Sequence, residues 1–287
     1  MKKIFLILIV LITCSCSEQK QNHTKNLNTL VDTTFYKAEG FNMRLKLDLL
    51  SNDKFTFETS LFSCFGGGEK RKFYGSYLKS KDKIKLKPEN VEIEIYPEDS
   101  PMENPTIKNL PYGLDSLRIK TNFKIVNWNK NEYLLSNENL SFFGFEENNT
   151  DYDQFAYYYN IGSEPDENGW YLVHKREKKD TNEVNLDLNQ IPPKYRKQFL
   201  NKPIVAKITD IKNIPETQYE GEHWLITVNK GKNDGVNKNI IFQTENMEMF
   251  IEPDSIFENT TIGKSYLYNF KKEKYPVGTI LKTKWEN

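Results

Sequence analysis

Met43-Arg44-Leu45-Lys46-Leu47-Asp48-Leu49 alternates apolar and polar residues without a fault. Successive side chains of a strand point to opposite faces, so Met43, Leu45, Leu47 and Leu49 share one face and the charges take the other. Ser51-Asn52-Asp53-Lys54 follows as a turn signal, and Lys54-Phe55-Thr56-Phe57-Glu58 resumes the alternation. The two strands therefore predict a hairpin.

The same grammar continues downstream. After Cys64-Phe65-Gly66-Gly67-Gly68 come Lys72 to Leu78, Lys83 to Pro88 and Val91 to Ile95, each short and each separated by turn residues. This meander predicts an antiparallel barrel or sandwich. Pro97, Pro101, Pro105 and Pro111 make residues 97–111 a connecting loop in this reading, because proline cannot donate to a ladder. Strand patterns return at Arg118 to Trp128, at Glu132 to Leu135 and at Trp170 to Val173. Between them Asp151 to Asn160 reads as a short helix capped by Asp151, with Tyr152, Phe155, Ala156 and Tyr159 on one face. Pro192 to Leu200 reads as a second, opened by proline in its first turn.

Composition supports a mainly β chain. The 18 Phe, 16 Tyr and 4 Trp bury large area per residue, and aromatic and β-branched residues favour sheet. Beyond Asn201-Lys202-Pro203 six strand candidates follow at 204–211, 224–228, 240–243, 247–251, 264–269 and 279–285, with no helix pattern. That density predicts a small closed barrel, which also disposes of sheet edges. The expected organisation is a leader at 1–15, an anchor and polar tether at 16–30, a β domain at 31–200 and a C-terminal barrel at 201–287.

The leader carries the clearest functional signal. Lys2 and Lys3, nine apolar residues from Ile4 to Ile12, and Thr13-Cys14-Ser15-Cys16 follow the three-part order of an export signal. The apolar run is far shorter than the roughly 20 residues a spanning helix needs. It resembles the lipobox of bacterial lipoproteins, whose cysteine is lipidated and becomes the mature N-terminus. Cys16, preceded by Ser15, fits that motif better than Cys14, which follows Thr13. The resemblance implies a membrane anchor with three acyl chains, and a location on the periplasmic face or the cell surface. Residues 17–30 are polar, and as a flexible tether they would span on the order of 20 Å.

Two weaker resemblances bear on the body of the chain. Lys54 to Phe57, the glycines, Tyr74 to Tyr77 and Lys83 to Leu86 resemble the repeated hairpins of small lipocalin-like lipoproteins over residues 41–96. Asn229-Lys230-Gly231-Lys232-Asn233-Asp234-Gly235-Val236 resembles the turn of small barrels in bacterial envelope and assembly proteins, including the rod-shape-determining periplasmic scaffold family. Asn229, Gly231, Asp234, Gly235 and Val236 match, and Asn239-Ile240 departs from the usual continuation. That resemblance implies an assembly or binding module in which the turn is structural. Gly231 and Gly235 are read as two positions of positive φ.

Charge and motif bound the function further. Lys plus Arg equals Asp plus Glu at 40, and loss of Lys2 and Lys3 with the leader leaves 38 against 40, so no basic face for nucleic acid is expected. Gly66-Gly67-Gly68 with Glu69-Lys70-Arg71-Lys72 reads as a hairpin turn, since a phosphate loop would be followed by a helix. His23, His174 and His223 are too scattered for a metal set, and a calcium loop from Asn229 would need glycine where Asp234 stands. Glu146, Glu147, Asp151 and Asp153, or Glu164, Asp166, Glu167 and Asn168, read as solvated loop residues. Cys64 between aromatic neighbours reads as a buried thiol. No cofactor or metal is implied.

The expectation is a lipid-anchored envelope protein that binds or scaffolds an envelope protein or glycan without catalysis. Its alternatives are a hydrolase or carbohydrate-active protein whose acids converge in space, and a lipocalin-like carrier. Trp128, Tyr157 and Trp170 are the candidate binding surface. Cys16→Ala is expected to release the protein from membranes or block leader processing, whereas Cys14→Ser retains the lipid. Metabolic labelling with a fatty acid that persists in Cys16→Ala would refute the choice of cysteine.

Overall fold

A computed structural model describes residues 33–40, 42–63, 67–98, 104–113, 117–165, 171–175, 183–215, 223–265 and 274–285, all within one compact unit. Cys14, Cys16, His23, Cys64, Asp166, Glu167, Asn168 and Trp170 lie outside the described residues.

The alternating segments form a large antiparallel sheet. Its strands are β1 (Thr33–Glu39), β2 (Met43–Leu50), β3 (Lys54–Phe62), β4 (Gly68–Lys79), β5 (Lys83–Tyr96), β6 (Thr106–Pro111), β7 (Asn122–Trp128), β8 (Asn131–Ser136) and β9 (Leu172–Lys175). The order is β4-β3-β2-β1-β9-β8-β7-β5-β6, and an additional β4–β5 pairing carries the hydrogen bonding back round through eight strands. Register shows why the pattern works. Tyr36 lies opposite Leu47, Leu47 opposite Phe57, Phe57 opposite Phe73 and Phe73 opposite Val91, so one buried row crosses five strands. A slip of one residue would turn every member of that row to solvent.

β7 and β8 depart from strict alternation because both of their faces are covered. Phe123, Ile125 and Leu134 join the core that Leu47 and Phe57 occupy, while Val126, Trp128, Tyr133 and Leu135 face a second core under helix α1 (Asp151–Ile161). Tyr152, Phe155 and Ala156 of α1 are buried there, as the helical spacing predicts. A fully buried Phe155 contributes about 1.5–3 kcal/mol of transfer free energy, and Ala156 less than about 1 kcal/mol. The helix ends at Gly162, whose φ of 74° accommodates the left-handed closing turn.

Three expectations are corrected. The proline-rich segment is not all loop: Thr106–Pro111 pairs with β5 as an edge strand, which its prolines permit because Pro105 precedes it and Pro111 closes it. The strand expected from Arg118 begins at Asn122, because consecutive Ile119 and Lys120 are both buried where a strand would alternate. Leu117 and Ile119 enter the first core, and Lys120 lies between its Phe142 ring and Asp151 of α1. Asp151 is not the helix cap. Thr150 holds that position, with its N–H and hydroxyl both donating to Asp153 Oδ2 at 2.8 and 2.7 Å.

Asp151 instead forms an ion pair with Lys120, Nζ to Oδ1 2.5 Å, both side chains at most 5% exposed. Its second oxygen accepts the Ser136 N–H at 2.7 Å, and the Lys120 ammonium lies 4.4 Å from the centre of the Phe142 ring. Burial pushes the Asp151 carboxyl above its ordinary range, and Lys120 and the Ser136 amide oppose that shift.

After the short helix α2 (Pro193–Arg196), the C-terminal segment closes into a six-stranded barrel. Its strands are β10 (Val205–Ile214), β11 (His223–Val228), β12 (Phe242–Gln243), β13 (Phe250–Ile256), β14 (Thr261–Ser265) and β15 (Ile280–Lys282), in the order β10-β11-β14-β13-β12-β15. Ala206, Ile208, Ile226, Phe242, Ile251 and Leu281 fill it. The strand expected at 247–251 runs from Phe250 to Ile256, with an irregularity between Pro253 and Ser255 where proline cannot donate.

Breaking the buried pair on one side is expected to be costly. Lys120→Met should lower unfolding free energy by about 3–5 kcal/mol, and Lys120→Met with Asp151→Leu should recover most of it. A denaturation double-mutant cycle measures this; a single variant losing less than about 1 kcal/mol would show the pair to be dispensable.

Candidate functional site

The site grows out of the C-terminal end of α1. Asn160, 3% exposed, donates from Nδ2 to the carbonyls of Gln198 and Asn239, each at 2.9 Å, and its Oδ1 accepts the Leu200 N–H at 2.8 Å. Gln198 in turn donates to Asp153 at 2.7 Å and accepts from the Asn239 amide at 3.0 Å. One buried amide thus ties the helix, the 198–200 segment and a barrel loop together with all of these bonds made. A fully satisfied network of this kind fixes geometry.

Beside this joint lies a cavity of about 410 Å³ lined by Trp128, Tyr159, Asn160, Asn185, Leu186, Leu200, Asn201, Lys202, Pro203 and Lys284. It holds aromatic, amide and ammonium groups and no carboxylate. Trp128 comes from the end of β7, with its ring centroid 5.5 Å from Phe155 and 5.9 Å from Tyr159. Lys284 follows β15, and its stem occupies the place a side chain on Gly162 would take, since a Cβ there would meet Lys284 Cε at 2.5 Å. Among the described residues, Lys202 and Lys284 make no hydrogen bond or ion pair.

Among the described residues, two of the other recesses are larger. One of about 610 Å³ opens at the ends of β3, β4 and β5, where Leu61, Ile95, Phe143 and Phe145 surround Arg71. That arginine is engaged by Glu69 and by the Phe143 carbonyl. The other, of about 710 Å³, lies against the barrel, where Lys282 sits 4.3 Å from the Trp285 ring centre and Lys274 pairs with Glu248.

Of the sequence-predicted binding surface, Trp128 lines the cavity. Tyr157 does not: it is half-buried, edge-on to Tyr158 at 5.5 Å, and burial raises its hydroxyl's pKa. Its place beside Trp128 belongs to Tyr159, which the helical spacing already set on the same face as Phe155. Lys202, Asn185, Asn201 and Lys284 carried no local signal; they meet only through the fold.

Of the acids read as solvated loop residues, Glu146 is exposed as expected, and three have definite structural work. Asp151 is buried, Asp153 closes the helix cap, and Glu164 accepts from Asn129, Asn131 and Tyr133 at 2.7, 2.9 and 2.7 Å. None of Glu146, Glu147, Asp151, Asp153 and Glu164 lines the three recesses. Among the described residues no group of three or more His, Cys, Asp and Glu is placed to hold a metal ion, and no helix is long and apolar enough to cross a membrane.

The Asn229–Val236 turn is built by its own side chains. Asn229 Oδ1 accepts the Lys207 N–H at 2.7 Å, and Asp234 accepts from Lys230 at 2.7 Å and from the Gly231 N–H at 3.1 Å. Of its two glycines only Gly235 has positive φ, 91°. Gly231 is extended and is needed for a different reason: a Cβ there would lie 2.3 Å from the Phe257 carbonyl oxygen. The donated bond from Lys230 holds the Asp234 carboxyl below its ordinary range.

Compared with known protein families, with curated proteins and with solved structures, the chain matches none.

Gly231→Ala should therefore destabilise by about 2–3 kcal/mol through steric overlap, against about 1–2 kcal/mol for Gly235→Ala through φ. Urea unfolding ranks them; the reverse order would show that dihedral freedom, not close approach, dominates the turn. Because the Asp234 pKa is lowered by folding, its contribution is present above its unfolded value near 3.8 and is lost as pH falls through the folded value. Asp234→Asn should flatten that acid limb.

Proposed function

We propose that this protein is a lipid-anchored component of the cell envelope that binds a partner, without catalysing a reaction on it, at the cavity beside the Asn160 joint. The leader and Cys16 support the anchor through their resemblance to a lipobox. The observation that carries the binding site is the cavity itself: a concave site with Trp128 and Tyr159 on one side and unpaired hydrogen-bond donors on the other, with Asn160 and the Leu200 backbone fixed by the network at its base. Preorganisation of that part of the wall lowers the entropic cost of binding. The partner in this reading is an envelope glycan or a protein that presents one.

Site-specific photocrosslinking in native envelope fractions tests the reading. A photoreactive residue replacing Asn201, exposed at the cavity rim, should give a discrete adduct, whereas one replacing Lys81, in the exposed turn before β5, should not. No adduct from position 201, or equal labelling from both positions, would count decisively against this cavity as the binding site.

A further inference from the structure

We propose that the cavity beside the Asn160 joint selects an acidic saccharide, a sugar ring bearing a carboxylate, through Lys202 and Lys284. The inference rests on the binding reading above and narrows it to a ligand class. Three observations converge on it.

First, the lining combines what a sugar ring needs. Aromatic surface at Trp128 and Tyr159 suits the apolar C–H face of a pyranose, and the side chains of Asn185 and Asn201 supply paired donors and acceptors for hydroxyls. The volume, about 410 Å³, falls in the range of roughly 300–1,000 Å³ found for small-molecule sites.

Second, the charge is one-sided. Two ammonium groups line the cavity and no Asp or Glu does, although acids and bases are equal in number over the chain. With no carboxylate in the lining to match them, the two lysines leave a local positive potential that an anion would offset.

Third, Lys284 is not needed to finish the helix beside which it lies. The Gly162 N–H bonds the Tyr159 carbonyl and the Ser163 N–H bonds the Tyr158 carbonyl, each at 3.1 Å. Both bonds of the closing turn form without the ammonium. The stem is nevertheless seated in the space that Gly162 leaves open, so the side chain is positioned without its charge being used. The C-terminal end of α1 favours a cation nearby.

Titration calorimetry with a glucuronic-acid disaccharide, the uncharged glucose disaccharide of the same linkage and inorganic phosphate tests the proposal on the full chain in detergent. The uronate should bind at least about tenfold more tightly than the neutral sugar, a ratio expected for one charge-assisted contact. Lys202→Ala with Lys284→Ala should abolish that preference while the thermal midpoint and circular dichroism stay unchanged; Lys202→Arg with Lys284→Arg should restore part of it. Equal affinity for the charged and neutral sugars would overturn the acidic specificity and leave a neutral-glycan receptor standing. Phosphate binding as tight as uronate would reduce the site to a simple anion site and overturn the saccharide assignment. Absence of saccharide binding alongside a position-201 crosslink would overturn this inference alone, and absence of both would overturn the binding reading with it.

Discussion

A single buried ion pair, Lys120 with Asp151, is the constraint on which the arrangement of this protein turns. Removing two charges from water costs several kcal/mol each, and mutual attraction repays this only with close geometry and satisfied remaining valences. Both conditions are met: contact at 2.5 Å, the Ser136 N–H on the second carboxylate oxygen and an aromatic ring against the ammonium. The upward push on the Asp151 carboxyl shows that burial is the larger opposing influence. The consequence is positional. Lys120 belongs to a segment whose Leu117 and Ile119 lie in the first core, and Asp151 opens the helix that covers the second. An apolar pair could pack there, whereas the charged pair adds a cost to any arrangement that leaves either group buried and unmatched.

With its first turn fixed in this way, α1 acts as a strut whose other end is fixed by an amide. Asn160 is ten residues from Thr150, and nearly three helical turns carry the orientation set at Asp151 to the three hydrogen bonds made at Asn160. Between these ends Phe155 packs against Trp128, Tyr133 and Tyr171 at centroid separations of 5.1–5.7 Å. The position of Trp128 in the cavity wall is therefore a result of core packing. The position of Lys284 is a result of helix termination, because the glycine that ends the helix makes room for the lysine stem.

How much of this was readable from sequence follows from which interactions are local. Alternation at Met43 to Leu49 and at Lys54 to Glu58 identified strands and faces, because period two is a property of the backbone. The 3.6 spacing placed Phe155 and Tyr159 together for the same reason. What sequence did not show depends on closure. Thr33–Glu39 is a strand because it is flanked by β2 and β9, with Lys37 opposite Val173, a pairing across more than 130 positions. Asp151 was misread as a cap because a carboxylate at a helix start looks the same whether it meets an N–H or a distant lysine. Gly231 was misread because a glycine required by close backbone approach and one required by positive φ carry the same letter.

The same distinction governs the cavity. Lys202 and Lys284 are separated by most of the C-terminal barrel, and neither sits in a charge run that would mark it. Their meeting depends on the barrel closing through β15, which pairs with β10 near its start, Val205 opposite Lys282. That pairing sets residue 284 beside residue 202, so closing the barrel and assembling the cationic wall are one event. The turn at Asn229 to Val236 is held against the β13–β14 hairpin through Lys232 and Asn233 and against β10 through the paired bonds of Asn229 and Lys207. Lys207 in turn lies opposite Ile280 of β15, and a side chain on Gly235 would stand 3.8 Å from Leu200 in the cavity wall. A change that loosens the turn would therefore be felt at the Leu200 wall by contact and at Lys284 through the β10–β15 pairing.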